Sequence, residues 1–303
     1  MFNAQPSRCR QFRQTRVLIV GCGDVGLRAA KALLPRCRVL ALTSSGIRVP
    51  ALRAQGIVPL LGNLDAPATL SRLAGLADHV LHLAPPPGHG TQDSRTQALL
   101  QALARRSGAR SLVYGSTTGV YGDARGELFN ESRAVNPTTD RGQRRVDAEA
   151  WVRQWGRQMA LAHGTRASVL RIPGIYAAGR EGGDPRERVR RGSPVLRPED
   201  DVFTNHIHAD DLARACVLAM WRARPLRVFH VCDDTEMKMG DYFDRVADMA
   251  GLSRPQRISR AEARATLSPM QMSFMSESRR LSNGRMKHEL RLRLMHPLAP
   301  VLD

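Results

Sequence analysis

Gly21, Gly23 and Gly26 stand directly behind the apolar run Val17-Leu18-Ile19-Val20 and directly ahead of the helix-like segment Leu27-Arg28-Ala29-Ala30-Lys31-Ala32-Leu33-Leu34. A Gly-x-Gly-x-x-Gly placed between strand and helix is the arrangement that cradles a dinucleotide. The first glycine allows a tight turn, the second lets backbone approach a pyrophosphate, and the third lets helix pack closely on strand. Asp24 and Val25 lie at the start of that helix, where free N–H groups and a positive dipole end favour phosphates. Cys22 is read as a small side chain within the loop, not as a nucleophile.

The next forty residues bear on which dinucleotide. A second strand, Arg38-Val39-Leu40-Ala41-Leu42, ends in Thr43, Ser44 and Ser45, with Arg48 shortly after. An acidic residue at this place holds a ribose 2′-hydroxyl in NAD-preferring folds. Here no acid occurs between Asp24 and Asp65. Three hydroxyls and a guanidinium suit a 2′-phosphate, which a carboxylate would repel. The sequence therefore predicts NADP, with NAD as the alternative.

Apolar runs alternate with helix-like stretches along the chain. Strands are expected at residues 57–61, 78–83, 110–115 and 167–172, with long helices over about 91–106 and about 141–163. This alternation predicts βαβ units, a parallel sheet and right-handed crossovers. Beyond residue 173, Gly and Pro cluster and the pattern loosens. The expected organisation is a polar lead-in over 1–14, a Rossmann domain over 15–173, and a smaller substrate-binding lobe over 174–303. Residues 205–235 are expected to return to the main domain. The fold class is thus α/β, a Rossmann-type doubly wound parallel sheet with a small C-terminal substrate-binding lobe. Another helix is expected over about 209–224, opened by His208, Asp210 and Asp211 in structural roles, with Asp210 as its N-cap.

Composition narrows the function classes. With 303 residues and 42% hydrophobic content, the chain can bury a sizeable core. No apolar run approaches the roughly 18 residues of a membrane span, and no signal-peptide core follows the basic N-terminus. The five cysteines (Cys9, Cys22, Cys37, Cys216, Cys232) are odd in number and lack metal-ligand spacing, so reduced thiols, no metal and a cytoplasmic location are expected. The net charge of +18 would suit nucleic acid. Yet only three of the 46 basic residues are Lys, the arginines are spread along the chain, and aromatic residues make up 5%. This argues against a base-stacking platform and for a small-molecule partner. The exception to the spread is residues 180–191, where five arginines cluster ahead of Arg197.

The order of five motifs resembles the short-chain dehydrogenase/reductase superfamily, closest to its extended and atypical branches with the NAD-dependent epimerases and dehydratases. They are Gly21-Cys22-Gly23-Asp24-Val25-Gly26; His82-Leu83-Ala84-Pro85-Pro86-Pro87; Gly115-Ser116-Thr117-Thr118-Gly119-Val120-Tyr121-Gly122-Asp123; Arg171-Ile172-Pro173-Gly174-Ile175-Tyr176; and Ile207-His208-Ala209-Asp210-Asp211-Leu212-Ala213. The resemblance covers about residues 15–295. It implies that Ala84 and Pro85 line the cofactor, that Pro173 and Ile175 border the nicotinamide, and that Asn63 and Leu64 face the adenine. It also implies a lobe able to bind a nucleotide sugar, with the 180–191 arginines suited to its diphosphate. The helices at about 91–106 and 141–163 would be able to pair in a homodimer.

The resemblance implies a catalytic Ser or Thr, a Tyr acid/base and a Lys. Thr117, and next to it Ser116, supply the hydroxyl. Aligning the following helix on Glu149 places Arg145 at the Lys position and Arg141 at the Tyr position. Arg145 keeps a cation at the cofactor ribose, whereas a guanidinium does not deprotonate and cannot donate a proton. Tyr121, Tyr176 and His206 are the candidate replacements. The resulting expectation is an NAD(P)-dependent oxidoreductase or epimerase/dehydratase-like protein acting on a small molecule, with a non-catalytic NADP-binding regulator or scaffold as the alternative.

Overall fold

A computed structural model describes residues 14–106 and 108–300. The polar lead-in expected over 1–14 therefore lies, apart from Gln14, outside the described residues, as does Cys9. Five strands open the central sheet: β1 (Thr15–Val20), β2 (Cys37–Thr43), β3 (Val58–Leu61), β4 (His79–His82) and β5 (Ser111–Thr117). Arg166–Ile172 and Arg227–His230 complete it as sixth and seventh strands. The spatial order is seventh, sixth, β5, β4, β1, β2, β3, with every pairing parallel. Consecutive strands run away from β1 in both directions, so the order reverses between β1 and β4, where an open α/β sheet leaves a crevice.

The residues explain the two layers. In β1, Val17 and Ile19 enter one core with Ala29 and Leu33 of helix α1 (Asp24–Leu33). The intervening Leu18 and Val20 enter the other, with Leu99, Leu103, Val152 and Trp155. Successive side chains of a strand point to opposite faces, so a strand apolar throughout must be covered on both. Helix α2 (Arg48–Ala54) follows β2, α3 (Ser94–Leu103) follows β4, and the 24-residue α4 (Asp140–His163) follows β5. Helix α3 is shorter than the sequence suggests because the Asp93 side chain caps it, accepting from Thr96 N.

Helix α5 (Pro185–Arg190), α6 (Ala209–Arg222) and α7 (Met239–Ala250) lie beyond the sixth strand. Helix α6 is capped by His208, whose Nδ1 accepts from the Asp210 N–H, and not by Asp210 as the sequence suggested. Asp210 instead receives Arg28 at 2.6 Å, tying α6 to α1. Buried Asp211 accepts from Met295 N and His296 N and so fixes the C-terminal segment. Four short strand pairs among the described residues lie outside the central sheet: Phe203–Thr204 with Met237–Lys238, Val195–Leu196 with Arg257–Ile258, Gly174–Tyr176 with His206–His208, and Leu128–Phe129 with Arg280–Leu281. Cys22, Cys37, Cys216 and Cys232 are buried thiols. Among the described residues, no helix is long and apolar enough to cross a membrane.

Burial has a consequence for pH. It pushes the imidazoles of His82, His206 and His230 down to about 3 and that of His79 to about 4. Each is neutral in the folded chain and takes up a proton on unfolding below pH about 6.5, so each contributes stability that is lost as pH falls. Burial raises Asp233 to about 7 and also raises Asp93 and Asp201, which opposes this trend. Burial lowers His208 as well, so five imidazoles stand against three carboxyls. Stability by urea unfolding should therefore fall between pH 6.5 and 5 by roughly 1–4 kcal/mol per pH unit. A flat profile across that window would contradict the neutral, buried imidazoles.

Candidate functional site

The C-terminal ends of the central strands open onto a groove and a larger cavity. The groove, of about 320 Å³, runs over the glycine loop and is lined by Gly21, Gly23, Asp24, Val25 and Gly26, with Thr117, Arg145, Pro173 and Ile175 further along. Gly21 has φ +88°, and a Cβ there would stand 2.3 Å from Ala84 N. Only glycine lets the end of β1 pass this close to the end of β4. At Gly26 a Cβ would meet Gly21 O at 2.9 Å, the close helix–strand contact the motif requires. Gly23 differs: nothing lies within 4 Å of its added Cβ.

Asp24 puts a negative charge beside the loop, and the structure offsets it. Its carboxylate accepts from Arg28 Nε at 2.9 Å and from Arg180 Nε at 2.8 Å. Burial raises this carboxyl, but the two guanidinium hydrogen bonds outweigh burial and hold its pKa below the usual value. Arg180 also donates to Ile175 O at 3.2 Å and lines the groove. It belongs to the arginine cluster that the sequence associated with a substrate diphosphate, yet its place is over the glycine loop.

A second cavity of about 320 Å³ continues from the loop toward β2 and β3, lined by Thr43, Ser44, Ser45, Arg48, Asn63, Leu64, Ala84 and Pro85. Arg48 reaches across to Cys22 O at 2.5 Å, and Thr43 Oγ1 accepts from Ser45 N at 3.2 Å. The carboxylate in this lining, Asp65, is held by Arg95 through two bonds of 2.7 Å.

The larger cavity, of about 480 Å³, lies beyond Thr117, Arg145 and Pro173, which line both it and the groove. Arg141, Arg144 and Arg145 enter it from the first two turns of α4, and Arg279 faces them from the C-terminal segment with Phe274 and Glu277. Arg145 donates to Tyr114 OH at 2.9 Å and Gly115 O at 2.8 Å. Arg141 lies 5.0 Å over the Phe274 ring. Glu277 accepts from Arg279 at 2.7 Å and from Thr138 Oγ1 at 2.9 Å.

The two candidate hydroxyls have different surroundings. Ser116 Oγ donates to buried Glu149 at 2.7 Å. Thr117 Oγ1 accepts from Gly119 N at 3.2 Å, which leaves its own proton to donate. Glu149 also accepts from Arg171 Nε at 3.0 Å and Nη2 at 2.7 Å, and Arg171 Nη1 donates to Tyr121 OH at 2.6 Å. Tyr121 OH in turn lies 2.5 Å from His230 Nε2. Tyr121 is therefore locked in a buried network, and its hydroxyl pKa is raised by burial. Tyr176 and His206 line a neighbouring cavity of about 590 Å³ alongside α5 and α7, which shares Gly174 and Phe274 with the 480 Å³ cavity. His206 stacks on Tyr242 there at 3.8 Å. Among the described residues, none of the three candidate acids lines the groove or the 480 Å³ cavity.

Sequence reasoning did not single out Arg144, Arg279 or Glu277, and it used Glu149 only for alignment. The spacing of Arg141, Arg144 and Arg145 on one helix face was a signal for the first of these. The other two reach the cavity from far along the chain.

The family model described as the RmlD substrate binding domain matches residues 92–297. A search of curated proteins finds no match. Among solved structures, a functionally unknown conserved protein from Silicibacter pomeroyi is 30% identical, with TM-score 0.76 over 93% of this chain and 94% of that one. The UDP-glucuronic acid 4-epimerase from Bacillus cereus, solved with NAD, is 16% identical with TM-score 0.72 over 93% and 94%. The UDP-glucose 4-epimerase from Thermotoga maritima, solved with UDP-glucose, is 18% identical with TM-score 0.72 over the same shares.

Proposed function

Because the chain belongs to the RmlD substrate-binding-domain family, within the extended short-chain dehydrogenases/reductases, we propose that it is a nicotinamide-dinucleotide-dependent oxidoreductase or epimerase-like enzyme acting on a small molecule. The observation that carries this reading is the sharing of Thr117, Arg145 and Pro173 between the glycine-loop groove and the 480 Å³ cavity. A dinucleotide laid along the strand ends would bring its reacting end to that boundary. The loop fits the group, since Gly21 and Gly26 pack tightly while Gly23 presents bare backbone to open space. Hydride transfer is the chemistry the dinucleotide supplies when bound. Gly23 and Arg180 would hold its pyrophosphate, Asn63, Leu64, Ala84 and Pro85 its adenosine half, and Arg145, Pro173 and Ile175 its nicotinamide half. Thr117 would donate a hydrogen bond to a substrate carbonyl oxygen. Residues 174–303 would form the substrate lobe, apart from about 205–235, whose helix α6 and seventh strand belong to the main domain.

The acid-free end of β2 supports NADP. Thr43, Ser44, Ser45 and Arg48 would take the 2′-phosphate, and the carboxylate that lines this cavity, Asp65, is held by Arg95. Hydrogen bonds to a charged group contribute ~1.5–3 kcal/mol, so NADPH should bind roughly 10- to 150-fold more tightly than NADH. Calorimetric titration of both decides. Tighter NADH would overturn the preference, and no binding of either would overturn the enzyme reading. One observation favours a non-catalytic regulator: no Tyr or His lines the groove or the 480 Å³ cavity among the described residues.

A further inference from the structure

Three arginines at the start of one helix run against helix electrostatics. Arg141, Arg144 and Arg145 stand at i, i+3 and i+4 on α4, close enough to repel. They also stand at the positive end of the macrodipole, where cations are unfavourable. The acidic residue in that first turn is Asp140, and it does not line the cavity. Local rules are broken in this way where a function needs it.

The cavity itself is unbalanced. Four arginines and one carboxylate line it, and that carboxylate, Glu277, is held by Arg279. Arg145 is engaged with Tyr114 and Gly115. Arg141 and Arg144 remain without a carboxylate partner among the described residues. Arg144 is only 8% exposed, donates through Nη1 to Gly90 O, and leaves its buried Nε without a hydrogen-bond partner. That Nε has almost no accessible surface, so a ligand in the cavity meets this guanidinium through its Nη end, which already donates to Gly90 O.

We propose that this cavity selects a substrate carrying a carboxylate or phosphate group, seated on Arg141 and Arg144 at the N-terminus of α4. A planar or tetrahedral oxyanion accepts two guanidinium bonds at once, and the helix end adds its dipole. The group sits on the substrate's side of Thr117, next to the dinucleotide's reacting end, so the inference rests on the proposed function for its enzymatic meaning. Arg141 thereby trades proton donation for anion binding at that position.

Malonate and inorganic phosphate serve as probes, in chloride buffers of matched ionic strength. Each is titrated calorimetrically into the parent, R141Q and R141Q/R144Q, with and without saturating NADPH. At least one probe should bind the parent saturably, and its apparent Kd should weaken at least tenfold in R141Q and further in the double variant. Binding of malonate over phosphate, or the reverse, identifies the group. NADPH affinity should stay within threefold in both variants. R141Q should also match or exceed the parent's urea midpoint without anion, because it relieves repulsion; this separates lost binding from lost folding. Equal probe binding by parent and R141Q, or saturable binding by neither, overturns the inference. Failure of the parent to bind NADPH or NADH overturns the proposed function instead, while the dinucleotide-free titrations still decide the anion site.

Discussion

Gly23→Val should leave the fold intact and reduce dinucleotide affinity at least 100-fold. The backbone at Gly23 has φ −82° and ψ −153°, an extended conformation open to any residue, and nothing lies within 4 Å of an added Cβ. The valine Cβ therefore meets no protein atom, and the branched side chain fills the space in which the pyrophosphate is proposed to lie. Gly21→Val provides the contrast. Its Cβ would collide with Ala84 backbone at 2.3–2.6 Å at positive φ, so it should fail by unfolding. Circular dichroism with NADPH titration separates the two. Undiminished binding by Gly23→Val would place the dinucleotide elsewhere.

Glu149→Ala should cost about 3–5 kcal/mol of stability, the usual cost of removing one partner of a buried ion pair. Glu149 and the Arg171 side chain are 1% and 3% exposed. Removing the carboxylate strands Arg171, unseats Ser116 and leaves Arg153 unpaired. Because Arg171 also holds Tyr121, and Tyr121 holds His230, the loss spreads across β5, the sixth strand and the seventh. Replacing Glu149 and Arg171 together by Leu and Met should recover part of that cost, since apolar residues of similar volume leave no buried charge unpaired, and Arg153 is partly exposed to water. Urea unfolding of the three variants gives the comparison. A loss below about 1 kcal/mol for Glu149→Ala would mean that water reaches the pair.

The glycine loop, the strand–helix alternation and the acid-free β2 end were legible because each is a local pattern. Val17 to Val20 must be a strand covered on both faces, since four consecutive apolar residues leave neither face polar. The spacing of Gly21, Gly23 and Gly26 likewise carries its own geometry. Thr117 and Arg145 were reachable through the order of motifs.

Local sequence does not contain long-range partners, and here they divided the candidates. Nothing near Ser116 indicates that Glu149, 33 residues on, takes its hydroxyl. Nothing near Tyr121 announces His230, 109 residues away. The N-cap of α6 was assigned to Asp210 because Asp is a good capping residue, whereas tertiary pairing drew that carboxylate to Arg28, 182 residues earlier, and left the cap to His208. Sequence alone specified a parallel α/β sheet with a glycine loop between β1 and α1, because backbone sterics and hydrophobic period act over a few residues. Only the tertiary structure brought Arg279 opposite Arg141, Arg144 and Arg145 around one cavity, because charges far apart in the chain share a field only after folding has closed the distance between them.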